Sequence, residues 1–125
     1  MTDSRLIIMR HAKSDWNSQA SRDFDRPLAT RGERDGMRMG NWLRQHNIIP
    51  DCFVSSPARR ARQTSELVAE GIKYPAEDIT WLEQIYAASL SKLLEVISAY
   101  SADVSCLLLV GHNPGLDELL SHLAS

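Results

Sequence analysis

The chain has 125 residues, 43% of them hydrophobic and 24% charged, with a net charge of -2. This composition fits one globular domain, residues 1–125, with a single core; it excludes disorder and a membrane class, and gives no global pull toward nucleic acid. Cys52 and Cys106 each border an apolar run without CxxC spacing or a leader, so they read as buried free thiols of a cytoplasmic protein, and no stretch is long enough to span a bilayer.

Leu6-Ile7-Ile8-Met9 runs straight into Arg10-His11 and reads as a buried strand of a parallel sheet, with the polar pair at its C-terminal end, where α/β folds place ligands. The polar stretch that follows, through Asp25, is a loop. Thr30 and Glu33 have the spacing of a capping box, which opens a first helix whose inner face carries Gly36, Met37, Gly40 and Leu43. Arg31, Arg34, Arg38 and Arg44 form its solvated face. Pro50 marks a turn, and Cys52-Phe53-Val54-Ser55 is a short strand. Ser56-Pro57 then supplies a cap and an N1 proline for a second helix, over 57–70, that buries Ala61, Thr64, Ser65 and Val68 and ends at Gly71.

Ile79 to Leu82 is a short edge strand, and Ser91 caps a third helix reaching Tyr100, with Leu93, Leu94, Ile97 and Tyr100 inward. Ser105 to Val110 is the second long buried strand. Asn113-Pro114 repeats the cap-plus-proline device and opens a fourth helix over 115–123. The order β-α-β-α-(β)-α-β-α calls for a three-layer α/β/α domain around a mostly parallel sheet, with one sheet edge left less covered than a complete domain would leave it.

Three strand ends present Arg10-His11, Ser55-Ser56 and Gly111-His112, and the last two run at once into capped helices. Unpaired N–H groups and the positive end of the helix dipole, beside an Arg-His pair, make an anion site, and phosphate is the natural anion. Arg59-Arg60-Ala61-Arg62 adds guanidinium forks that match phosphate oxygens.

These residues lie in four runs, RHAKSDW (10–16), DFDRPLATRG (23–32), SSPARRARQT (55–64) and VGHNPGL (110–116), through which the chain resembles the SixA-type phosphohistidine phosphatases of the histidine phosphatase superfamily, whose fold is that of phosphoglycerate mutase. Ala12 stands where the superfamily signature has glycine. The resemblance implies that His11 is the nucleophile and is transiently phosphorylated, that Arg10 binds the phosphoryl oxygens, that Arg60 rather than Arg59 or Arg62 is the pocket arginine, and that His112 is the second pocket histidine. It extends to Asn17, at the position of an asparagine that lines the phosphate site of related mutases, and to the Ser14 hydroxyl. It also implies a further C-terminal strand region that this chain lacks.

Phosphoryl transfer asks for an in-line nucleophile and donors on the equatorial oxygens. Neutral His11 attacks while Arg10, Arg60 and a cationic His112 balance the charge, and no metal or other cofactor is called for. An ester substrate adds the need for a proton donor, for which Glu83 and Asp15 are the candidates; Asp15 as a loop cap and Glu83 as a surface residue are the alternatives. A phosphoramidate such as protein phosphohistidine, carried by a histidine phosphotransfer domain, tolerates a weak or absent acid. The rivals are a small-molecule phosphomonoesterase and a phosphate- or phosphoprotein-binding domain without turnover.

Overall fold

The computed structural model describes residues 4–124. Its sheet holds β1 (Arg5–Arg10), β2 (Cys52–Ser55), β3 (Thr80–Trp81) and β4 (Cys106–Gly111), all parallel, in the order β1-β4-β2-β3. The helices are α1 (Thr30–Gln45), α2 (Arg59–Ile72), α3 (Leu90–Tyr100) and α4 (Gly115–Ala124). Every residue of β4 is buried, so its near-continuous apolar run serves two cores at once. Leu108 and Val110 pack with Met9, Phe53, Leu43, Ala61 and Val68, under α1 and α2. Leu107 and Leu109 pack with Val54, Leu93, Val96, Leu116 and Leu119, under α3 and α4. The two-residue period of a strand divides the faces, and the three-layer architecture follows.

β1 is at the sheet edge, paired to β4 alone among the described residues, and its Leu6, Ile7 and Ile8 are only half-buried. The expectation of a fully buried first strand is corrected there. The third strand is shorter than 79–82 and pairs with β2 through Val54↔Thr80 and Ser55↔Trp81.

Helix boundaries depart from the sequence reading where a side-chain cap was invoked. Thr30 lies inside α1; the cap is Ala29, without a side-chain bond, so no capping box forms. Met37 is exposed, and the buried face is Gly32, Gly36, Gly40 and Leu43. α2 begins at Arg59 rather than Pro57, and it runs past Gly71 to a left-handed C-cap at Lys73. Ser89 rather than Ser91 caps α3, accepting from Lys92 N at 3.3 Å. The most buried residues of α3 are Leu93 and Val96, with Leu94, Ile97 and Tyr100 partly covered. In α4 the Asn113 side chain does cap, accepting from Asp117 N at 3.1 Å.

Gly71 stays helical because its role is contact. A Cβ built there would come within 2.8 Å of the Gly40 backbone, and one at Gly40 within 2.8 Å of the Val68 carbonyl, so the two glycines let α1 and α2 cross backbone to backbone. Gly71→Ala should therefore destabilise the fold by about 1–3 kcal/mol from overpacking, partly offset by alanine's helix propensity of up to about 1 kcal/mol. Urea unfolding with an unchanged m-value measures it; a gain in stability would contradict the close crossing.

Candidate active site

The parallel register pairs Arg10 with Gly111, so the next residue after each strand is a histidine. His11 N extends the ladder to Gly111 O at 3.1 Å, and the His11 and His112 rings lie side by side with centroids 5.0 Å apart. On the other side of β4, Ser55 pairs with Val110, and Ser56 follows. Its hydroxyl lies 2.7 Å from His112 Nε2 and accepts from Ala58 N at 3.2 Å. Ser56, expected to cap α2, belongs to the His112 environment instead.

His11 Nδ1 donates to the Ala12 carbonyl at 2.7 Å, which leaves the lone pair on Nε2. Arg60 Nε donates to that Nε2 at 3.4 Å. Burial, then the charges of Arg60, Arg10 and Arg26, push the His11 pKa down to about 4 against an opposing contribution from the Ala12 bond. The imidazole is therefore neutral at neutral pH. Burial likewise takes His112 down to about 3, helped by His11, Arg60 and Arg26 and opposed by Asp23. At neutral pH His112 is therefore neutral beside His11 and Arg60. Its Nδ1 is buried without a hydrogen-bond partner among the described residues.

The loop between β1 and α1 closes the site because α2 holds it. One face of α2 carries Arg60, Gln63 and Thr64 at i, i+3 and i+4. Thr64 Oγ1 accepts from Ala12 N at 3.0 Å, Gln63 Oε1 accepts from Leu28 N at 2.8 Å, and Arg60 reaches the short 3-10 turn at Asp23–Asp25. Gly32 lets α1 come up against the Lys13 carbonyl, where any side chain would collide.

Asp23 is the hub of this loop. Its Oδ1 accepts from Arg26 Nη2 at 2.9 Å, its Oδ2 from Arg60 Nη2 at 2.9 Å and Tyr86 OH at 2.8 Å, and its carbonyl from Arg60 Nη1 at 2.7 Å. Burial alone would raise the Asp23 pKa, but the bonds from Arg26, Tyr86 and Arg60 outweigh it and hold the carboxyl well below the usual range. Arg26 is itself buried, donates through Nη1 to Ser14 Oγ, and lies under the Trp16 ring at 3.5 Å.

Arg10, His11, Lys13, Ser14, Trp16, Asp23, Arg26, Arg60, His112 and Asn113 are among the residues around a pocket of about 630 Å³. It unites Arg10, His11, Arg60, His112 and Ser14 from the residues singled out in the sequence. Asn17 does not line it; that residue is exposed, its amide bonded to Asp15 Oδ1 at 2.8 Å. Asp15 is occupied in that turn, and Glu83 is an exposed residue of the 3-10 turn Glu83–Ile85, so neither candidate proton donor lines the pocket. Sequence reasoning passed over Asp23 and Arg26. Both stand in the DFDRPLATRG run, and an Asp three residues before an Arg in an otherwise basic site is the signal that was there to read.

A doubly covered parallel sheet with paired histidines and three arginines at the carboxyl ends of its strands is a phosphoryl-binding α/β domain in its class. Residues 6–105 match the model of the histidine phosphatase superfamily (branch 1), and the chain belongs to that superfamily. Its structure superposes with a TM-score of 0.85 on SixA of Agrobacterium tumefaciens, at 31% identity over 96% of this chain and 76% of that one, and with 0.84 on the protein histidine phosphatase SixA complexed with tungstate, at 26% identity over 94% and 75%. Within the superfamily it is of the SixA type, and the activity class is phosphatase. An uncharacterized protein of Mycobacterium tuberculosis is 41% identical over 117 residues, which are 94% of this chain and 70% of that protein. Among the described residues no helix is long and apolar enough to cross a membrane.

Asp23→Asn should weaken the fold by about 1–2 kcal/mol, the size expected when a half-exposed carboxylate leaves two buried arginines without their counter-charge. Because the Asp23 pKa is depressed, its contribution is complete above the ordinary carboxylate pKa and is lost as pH falls below it. Urea unfolding at pH 7 and again at pH 3 should show the difference between variant and wild type shrinking at the lower pH.

Proposed function

We propose that this domain hydrolyses phosphoramidates, protein phosphohistidine above all, through a phosphorylated His11. The observation that carries this reading is the state of Asp23: it is the one carboxylate among the described residues lining the pocket, and its ion pairs keep it deprotonated. A phosphatase acting on alkyl esters gains from an acid that protonates the departing alkoxide, an effect of about 10²–10⁴-fold. A phosphoimidazole protonated on its other ring nitrogen releases neutral imidazole without that help.

In the reading proposed, the substrate ring carries a proton on its unphosphorylated nitrogen; His11 Nε2 attacks phosphorus in line as the substrate's P–N bond breaks, and the bond's electron pair leaves with a neutral imidazole. The Nδ1–H bond to the Ala12 carbonyl holds the attacking tautomer and stabilises the charge that develops on the ring. Arg10, Arg26 and Arg60 face the equatorial oxygens, with Arg60 Nε exchanging its contact to His11 for one to a phosphoryl oxygen. With the Ser56 hydroxyl donating to His112 Nε2, the proton of His112 is on Nδ1, and a phosphoryl oxygen is the partner that atom lacks. Water then attacks phospho-His11, the P–Nε2 bond breaks, and phosphate leaves.

The test compares a phosphohistidine-bearing phosphocarrier with a panel of alkyl phosphate esters. The expected kcat/KM ratio in favour of phosphohistidine is on the order of 10² or more, for want of an acid. Comparable rates on an alkyl ester would make the domain a phosphomonoesterase instead. His11→Ala should abolish turnover of every substrate, and equal release by wild type and variant would remove His11 from the mechanism. Since the pKa of His11 is lowered to about 4, its neutral form persists above that pH, and kcat/KM should fall only as pH drops through about 4. An acid limb near 6.5, the value for an unperturbed histidine, would contradict the burial argument.

A further inference from the structure

Trp16 is unusual for a large aromatic side chain: it lines the pocket yet is 77% exposed. One indole face covers the Arg26 guanidinium at 3.5 Å, and the side chain is otherwise open to solvent. Holding Arg26 does not require it, because Arg26 is already fixed by Ser14 through Nη1 and by Asp23 through Nη2, and is itself buried. The pocket's other aromatic neighbour is differently placed. Tyr86 stands at right angles to both Phe24 and His112, and its hydroxyl is committed to Asp23.

We infer that Trp16 is a leaving-group subsite: a planar platform, backed by the Arg26 guanidinium, on which a flat ring attached to the phosphoryl group stacks. A ring on the outer face of the indole would complete a guanidinium–indole–ring stack, with the cation polarising the indole from one side. The class of substrate selected is thus a phosphoryl group on an aromatic or heteroaromatic ring, as opposed to one on an amine or an alkyl chain. The inference rests on the phosphoryl pocket proposed above but is indifferent to whether phosphorus is bonded to nitrogen or oxygen.

The test uses ligands that are not turned over. Titration calorimetry would compare phenylphosphonate with methylphosphonate on wild type, Trp16→Ala and Trp16→Phe. The wild type should bind phenylphosphonate about fivefold to tenfold more tightly than methylphosphonate, the range expected of one aromatic stack. Trp16→Ala should erase that preference while leaving methylphosphonate within twofold of wild type, and Trp16→Phe should keep most of it. Equal affinities on wild type, or a loss in Trp16→Ala of the same size for both ligands, would overturn the subsite; the second result would make Trp16 a support for Arg26. A failure of methylphosphonate to compete with inorganic phosphate on wild type would instead bring down the phosphoryl pocket itself. Kinetics add an independent arm: Trp16→Ala should lower kcat/KM for phosphoimidazole and p-nitrophenyl phosphate by the same factor, but not for phosphoramidate or acetyl phosphate, which carry no ring.

Discussion

The parallel register of β4 against its two neighbours is the constraint on which the site depends. Arg10↔Gly111 on one side and Ser55↔Val110 on the other bring His11, His112 and Ser56 together one residue beyond the last paired positions. Strand side chains alternate, so a slip of one residue would turn Leu108 and Val110 into the layer that holds Leu107 and Leu109, and would break both cores at once. The apolar packing of β4 is thus what keeps two histidine rings 5.0 Å apart. No separate device is needed to bring them together.

Charge is the second constraint. Three arginines and two histidines share one pocket, and burial together with the guanidinium charges keeps both imidazoles neutral. Asp23 makes that density of cations tolerable. It takes hydrogen bonds from Arg26, Arg60 and Tyr86, and in doing so links the loop after β1 to α2 and to the turn before α3. The same bonds hold Asp23 ionised, so the residue that assembles the pocket is unfit to serve as its acid. One arrangement thus places the arginines and holds the pocket's carboxylate in its ionised form.

Local sequence signals succeed in this chain where a single element decides the outcome. The apolar runs of β1 and β4 and the Asn113 cap of α4 are legible because a continuous hydrophobic run or a cap is enough to specify each, whereas Arg60 is set apart from its exposed neighbours Arg59 and Arg62 only by the family resemblance. They fail where a polar side chain has two possible uses. Thr30 and Ser56 look like helix caps, yet Thr30 falls inside α1, and the Ser56 hydroxyl turns to His112, which lies 56 residues away in the chain. Gly71 looks like a helix stop because glycine ends helices in general, but the crossing with Gly40 keeps it helical. Met37 is spaced for the core, and the glycines that bring α1 down onto α2 leave it outside.

By itself the sequence determined the three-layer α/β class, the strand ends that carry Arg10, His11 and His112, and the helix that carries Arg60, because hydrophobic period and the offsets of a single helix turn are local properties. Only the tertiary structure decided which polar groups meet. It placed Asp23 against Arg26, Arg60 and Tyr86, removed Asp15, Asn17 and Glu83 from the pocket lining, left both histidines neutral, and set Trp16 at the rim over Arg26. Those outcomes turn on desolvation and on distances between segments far apart in the chain, and neither quantity exists until the sheet has closed its register.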